Sequence, residues 1–187
     1  MSEPDPEQLA SELAEAVRRG DDPADLADDG GIERYREAAA LIRRLNRSPR
    51  PEADAGLQLT DDELWVIDRQ FRRADALAAL YEADVRRAEP EVEDLSQAAA
   101  TLVTGVWMER RELDEAIGSV ATAWRVERMP PVDRGVLRLA LWELRHRRET
   151  PTAVVIAEAV RLAKAYSTER SGSFVNGVLS RLAAQER

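Results

Sequence analysis

The sequence contains no cysteine and a single histidine, His146, among its 187 residues. Disulfide scaffolds, thiolate metal sites, cysteine nucleophiles and histidine-rich metal centres are therefore excluded. Aromatic residues make up only 5% of the chain. No apolar run approaches the roughly 20 residues of a membrane span, and the acidic N-terminus does not resemble a secretion signal. We therefore expect a soluble cytoplasmic protein.

Basic charge is scarce in the first third of the chain. Residues 1–68 carry 18 acidic and 8 basic side chains, whereas residues 69–187 carry 18 and 19. The net charge of −9 therefore belongs almost entirely to the N-terminal third. Any nucleic-acid contact in the remainder must depend on a local basic patch.

Ala, Leu, Arg and Glu dominate, which favours an all-α fold. Apolar spacing predicts helices over 5–19, ending at Gly20, and over 32–46. Residues 47–59 contain two prolines and a glycine and are typical of a linker. We therefore expect residues 1–59 to form an acidic helical extension, either a hairpin or a loosely docked arm, and residues 60–187 to form a helical domain.

The predicted domain begins with a sharp helix start. Thr60 and Glu63 form a T-x-x-E capping box, and the helix is expected to run to about Arg87. The segment after Pro90 predicts two helices or one broken helix, with Gly105 and Gly118 as points of close packing. The pattern then indicates three helices, over about 132–147, 152–166 and from 173 onward. Ser171 is the expected N-cap of the last helix.

Three arginines provide a modest signal for phosphate contact. Arg69, Arg72 and Arg73 share one helical face, although a solvated face accounts for them equally well. Paired acids such as Asp61 and Asp62 are explained by helix capping, and no glycine-rich phosphate loop is present. The residues therefore predict no enzyme, no cofactor and no metal site.

Two helices contain residues that need an explanation. The last one begins SGSFVNGVL, and both Asn and Gly are unfavourable in helix interiors. Phe174 shares a face with Val178 and Leu182, so it either joins the core or leaves its ring exposed to stack on a base. Asp133 suits the first turn of its helix, and a solvent-facing position accounts for Glu143.

Four stretches together indicate a known family. They are RRADALAALY (72–81), LVTGVWMERRELDEAI (102–117), VDRGVLRLALWEL (132–144) and PTAVVIAEAVRLAKAYSTERSGSFVNGVL (151–179). In order and spacing this part of the chain resembles the NusB family of bacterial transcription antitermination factors. The acidic extension that precedes it is atypical of that family.

The resemblance implies an all-α bundle of two packed three-helix subdomains that has no enzymatic role. It implies binding of boxA-type single-stranded RNA from ribosomal RNA leaders, together with the ribosomal protein NusE, in an antitermination complex on RNA polymerase. Asp133 would lie on the NusE-facing side, while Asn176 and Gly177 would tie the last helix to its neighbour. The resemblance implies that the RNA-binding residues are Arg69, Arg72, Arg73, Tyr81, Lys164, Arg170, Ser171 and Phe174, with the ring of Phe174 stacked on a base.

Other interpretations remain open at this point. The chain is also compatible with a protein-binding or homodimeric relative that has lost RNA recognition, or with a module that acts with a ribosomal RNA methyltransferase. The acidic extension could fold over the basic face and compete with RNA, or it could serve as a solubilising or partner-binding arm.

Overall fold

The structure is a computed structural model that describes residues 6–20, 38, 41–42, 57–121 and 125–186, apart from the side chains of 6, 7, 65 and 68–70. These residues contain helices and no strand, which confirms the predicted all-α class. Most of the predicted helix 32–46 lies outside the described residues, but 38, 41 and 42 are helical. The helices are α1 (Pro6–Arg19), α2 (Asp61–Arg86), α3 (Gln97–Met108), α4 (Arg110–Val120), α5 (Pro131–His146), α6 (Thr152–Tyr166) and α7 (Ser171–Gln185), with a 3₁₀ turn at Val126–Arg128.

The chain divides into two compact units, Met1–Asp75 and Ala76–Arg187. Helix α2 contains the point of division, so its first half belongs to the first unit and its second half to the other. The domain boundary that the linker composition places at residue 59 stays a prediction.

The first unit has its own hydrophobic core, to which α1 contributes one face. Leu13 of α1 is fully buried, as are Ile42 and the α2 residues Ile67 and Phe71. The guanidinium of Arg18 donates a 2.7 Å hydrogen bond to the carbonyl oxygen of Gln58. The described part of α1 is therefore packed rather than loosely held.

The helix ends of this unit follow the sequence signals. Gly20 has φ 83°, a left-handed conformation that suits glycine after a helix. The predicted capping box is confirmed, because the backbone N–H and hydroxyl of Thr60 donate to Glu63 Oε2 at 2.7 and 2.8 Å. In return, Thr60 Oγ1 accepts the N–H of Glu63 at 3.3 Å. These bonds from Thr60 hold the pKa of Glu63 below its ordinary value.

The second unit is organised around α5. Helices α5, α6 and α7 pack on one another, α3 and α4 pack on α5, and α4 also contacts α7. Helix α5 is consequently buried on nearly all sides. The expectation that Glu143 faces solvent is wrong, since only 2% of this residue is exposed.

Glycines mark two close helix contacts in this unit. A Cβ atom at Gly105 of α3 would overlap the indole of Trp142 on α5, which confirms this predicted packing point. At Gly135 a Cβ atom would lie 2.8 Å from Leu77 Cδ1, which brings the second half of α2 against α5. Gly118 does not have the predicted packing role, because it is exposed and a Cβ atom there would make an ordinary 3.5 Å contact with Val126.

Candidate nucleic-acid interface

The turn between α6 and α7 is held by the side chain of Ser171. Helix α7 begins at Ser171 itself, so this residue is the first of the helix rather than its predicted N-cap. The Ser171 hydroxyl donates to Asp133 Oδ2 at 2.9 Å and accepts the backbone N–H of Thr168 at 3.2 Å. One hydroxyl thus joins the first turn of α5 to the start of α7.

The hydrogen bond between Ser171 and Asp133 bears on the roles predicted for both residues. Asp133 is 3% exposed and Ser171 is 2% exposed, so neither lies on a surface that a partner could reach in this conformation. The predicted contacts, protein for Asp133 and RNA for Ser171, stay predictions, and what the structure adds is a buried hydrogen bond between the two residues. Both residues hold the start of α7 in place beneath its surface.

Two exposed cationic side chains flank the first turn of α7. The Lys164 stem lies across the first turn of α7, since a Cβ atom at Gly172 would come within 2.9 Å of Lys164 Cγ. Lys164 and Arg170 are both exposed residues. A helix N-terminus attracts anions through its free N–H groups and its dipole. Cations on either side of such a terminus form an arrangement that suits a phosphate group.

Phe174 lies at the edge of the core, one turn into α7. Val178 and Leu182, on the same face, are buried, whereas Phe174 is only half-buried. Part of its ring is therefore accessible for stacking.

Asn176 and Gly177 do not have the structural role predicted for them. Both residues are exposed, and nothing lies within 4 Å of a Cβ atom built at Gly177. No neighbouring helix of the described chain therefore approaches α7 at Gly177. Both residues instead belong to the exposed surface of α7.

Arg69, Arg72 and Arg73, which the resemblance assigns to RNA binding, lie in the first unit. The side chain of Arg69 is outside the described residues. Arg72 is half-buried, and Arg73 is only 7% exposed. In this conformation Arg73 offers little surface to a phosphate, and its direct contact with RNA stays a prediction.

Tyr81 belongs to an exposed apolar stripe on the second half of α2. Tyr81 is 43% exposed, and Val85, one turn further along, is 60% exposed. Ala78 lies on the same face and is also exposed. Tyr81 is accessible, and its contact with RNA stays a prediction. Ala78 and Val85 are uncharged, whereas the adjacent exposed residue is Glu82.

Sequence reasoning missed an ion-pair network that connects α2, α4 and α5. Arg138 on α5 donates to both oxygens of Asp114 at 2.7 Å and contacts Asp84 at 2.9 Å. Arg134 also pairs with Asp84, at 3.0 Å. Burial lowers the pKa of Arg138, but the hydrogen bonds and charges of Asp114 and Asp84 outweigh it, so the pKa is raised above its ordinary value.

A second missed cluster lies at the C-terminal end of α5. Glu109, between α3 and α4, accepts from Trp142 Nε1 at 3.2 Å. Its carboxylate also lies 2.9 Å from His146 Nε2. The rings of Trp142 and His146 contact each other in a tilted arrangement, with centroids 4.8 Å apart. From the sequence, only the spacing of one helical turn between Trp142 and His146 could have indicated this cluster; the contact with Glu109 could not.

The described part of the chain contains neither a metal-ligand cluster nor a membrane-spanning helix. Among those residues, no group of three or more His, Asp or Glu side chains is arranged to hold a metal ion. Nor does any helix there combine the length and the apolar character of a membrane span.

In sequence, this chain is similar to proteins of a single family. A profile of the NusB family matches residues 62–184. The transcription antitermination protein NusB of Anaeromyxobacter dehalogenans is 46% identical over 129 residues, which cover 62% of this chain and 90% of that protein. The corresponding protein of Symbiobacterium thermophilum is 38% identical over 133 residues, which cover 60% and 87%.

Solved structures show the same likeness. NusB of T. maritima aligns with a TM-score of 0.58 and 34% identity, over 63% of this chain and 91% of that one. The NusB structure from a complex of antitermination factors NusB and NusE with double-stranded RNA aligns with a TM-score of 0.56 and 28% identity, over 63% and 96%. With a profile that matches well over half of its residues, and with these relatives, the chain belongs to the NusB family.

Proposed function

We propose that this protein is a transcription antitermination factor that acts in the cytoplasm. It binds boxA-type single-stranded RNA of ribosomal RNA leaders together with the ribosomal protein NusE. The bound pair then contributes to an antitermination complex on RNA polymerase. Support comes from relatives named for transcription antitermination and from a related structure in complex with NusE and double-stranded RNA.

The observation that carries the RNA assignment is the surface at the start of α7. Phe174 leaves part of its ring exposed about one turn before Gly177, and Asn176 and Gly177 are themselves exposed. Lys164 and Arg170 supply positive charge at the same helix end. Aromatic stacking combined with cations that follow the backbone is the usual means of binding single-stranded nucleic acid.

The testing experiment is a titration of boxA-type RNA at two salt concentrations, with and without NusE. Phe174→Ala should weaken binding by about 5- to 150-fold, because stacking on one base is worth about 1–3 kcal/mol. Val154→Ala is the matched control, since it trims an exposed apolar side chain elsewhere, on α6. Failure of the wild-type protein to bind in any arm would contradict the RNA assignment.

The apolar stripe of Ala78, Tyr81 and Val85 favours protein binding as a second candidate function. An exposed Tyr and Val on one helix face suit a protein surface better than a phosphate backbone. The partner on this stripe is either NusE or a second copy of this chain. Val85→Asp should weaken NusE binding and leave the affinity for RNA alone unchanged. A concentration-dependent mass that Val85→Asp abolishes would instead assign the stripe to a homodimer.

A further inference from the structure

The C-terminal end of α5 carries a surface that the proposed function does not use. His146 lies thirteen positions after Asp133 on this helix. At about 1.5 Å per residue this places His146 roughly 20 Å from the Asp133–Ser171 bond along the helix axis. The surface at this end is therefore separate from the one at the start of α7.

Glu109 joins two basic stretches at this end. Its carboxylate binds Trp142 and His146 of α5, and Gly105 lets α3 approach the same indole. The stretch that follows Glu109 contains Arg110 and Arg111, and the one that follows His146 contains Arg147 and Arg148. We call these four arginines and His146 the far basic surface.

The charge of this region is opposite to that of the whole chain. Segments 107–112 and 145–149 contain five arginines and three glutamates, within a protein of net charge −9. One of the glutamates, Glu109, is engaged by Trp142 and His146. Arg111 and Arg148 are exposed, and neither forms an ion pair within the part of the chain that the structure describes. Their charge is available to an anionic partner.

Aromatic groups accompany the arginines. The Arg110 guanidinium lies 4.3 Å from the centroid of the Trp107 ring, and its Nη1 donates to the Trp107 carbonyl at 2.6 Å. Arg147 lies 5.9 Å from the centroid of Trp142. Met108, beside Trp107, is 77% exposed. Arginines held against aromatic rings, with apolar surface alongside, suit the phosphates, sugars and bases of RNA.

We propose that the far basic surface is a second RNA-contact site. It binds the sugar–phosphate backbone of nucleotides that flank the segment held at the start of α7, without reading their sequence. This inference rests on the proposed RNA-binding function and extends its footprint across the length of α5.

The test compares two RNAs, a short boxA-type RNA and the same RNA extended on either side by about 16 unstructured nucleotides. The variant is the full chain with Arg111→Ala and Arg148→Ala. Its control, Arg125→Ala with Arg128→Ala, removes two exposed arginines near the 3₁₀ turn. All are titrated across a salt series with NusE present, after circular dichroism has confirmed equal helix content.

We expect the Arg111/Arg148 variant to bind the short RNA like the wild type and the extended RNA several-fold more weakly. The slope of log K against log salt for the extended RNA should become shallower by about 1.4, since each single-strand phosphate contact contributes about 0.7. The control should keep the wild-type slope.

Other results would overturn the inference. One is a wild-type protein that binds both RNAs equally, and another is a control that loses as much affinity as the variant. A polyglutamate peptide that binds wild type but not the variant, with RNA binding unaffected, would assign the surface to an acidic protein. In each of these cases binding of the short RNA, and its loss in Phe174→Ala, would still uphold the proposed function. Failure of the short RNA to bind would instead refute both.

Discussion

Two glycines in helix interiors have opposite surroundings. Gly105 gives the Trp142 indole room against α3, and a methyl group there would overlap the ring. Gly177 faces open space, so nothing in the described chain offsets the roughly 1 kcal/mol by which glycine weakens a helix relative to alanine. The first glycine serves packing, and the second belongs to the exposed surface of α7.

Gly105→Ala should therefore lower the free energy of unfolding by about 1–3 kcal/mol, because the indole and its neighbours must shift. Urea denaturation followed by circular dichroism measures the change. Gly177→Ala is the matched control and should raise stability by about 0.5–1 kcal/mol. If Gly177 is kept for function, the same variant should bind RNA more weakly than wild type. A neutral result at Gly105 would mean that the α3–α5 contact is looser than described.

The capping box should give the protein a small pH-dependent stability in the acid range. The pKa of Glu63 is lowered from 4.5 by the Thr60 hydrogen bonds, so its carboxylate form favours the folded state. This contribution is fully present above 4.5 and is lost as the pH falls through the lowered folded pKa. The difference in Tm between wild type and Glu63→Gln should thus be largest near neutral pH and shrink in acid. A difference that stays constant with pH would rule out the carboxylate as its source.

At the scale of helices, most elements could be predicted from the sequence. The apolar spacing gave α1, α2, α5 and α6 to within about two residues at each end, the usual uncertainty of helix bounds. The capping box and Gly20 marked ends through local hydrogen bonds and backbone conformation, which depend only on neighbouring residues. Signals that depend only on neighbouring residues can be recognised in a sequence without knowledge of the fold.

Contacts between distant residues could not be predicted in this way. Asp84 and Arg138 are 54 residues apart, and Asp133 and Ser171 are 38 apart, so no periodicity connects them. Glu143 looked solvent-facing because a charged residue in a helix usually is, but α5 is enclosed by other helices. For the candidate site, the family resemblance proposed Phe174 and Lys164, which stay predictions, whereas the burial of Ser171 and Arg73 depends on three-dimensional packing.

The network around Arg138 ties three helices together and should be sensitive to truncation. Arg138→Met leaves Asp114 without its partner and should cost about 3 kcal/mol of stability, the usual effect of breaking a largely buried ion pair. Arg145→Met is the matched control, since it removes a 2.7 Å pair with Glu186 that is more exposed. That change should cost less than about 1 kcal/mol. Equal losses in the two variants would argue against a special role for the buried network.

At the scale of the whole molecule, the acidic third of the chain is partly built into a core. Leu13 is fully buried in the first unit with Ile67 and Phe71 of α2. The extension therefore contributes to folded structure as well as to charge.

Leu13→Ala should destabilise the first unit by about 2–5 kcal/mol, the cost of a core leucine truncation. Hydrogen exchange should then become faster at α1 amides, while α5, α6 and α7 keep their protection. Glu15→Ala, which changes an exposed residue of the same helix, should leave exchange unchanged. Uniform acceleration throughout the chain would show that both units unfold in a single step.

Because α2 belongs to both units, the order of synthesis bears on how the protein forms. The first unit ends at Asp75, so all its residues are made while more than a hundred are still to be translated. At about 5–20 residues per second, the ribosome needs several seconds or more to supply the rest. During that interval the first half of α2 can already be held by α1, and it provides a preformed helical end onto which the emerging second half grows. The acidic extension would in this way assist the folding of the residues that follow it.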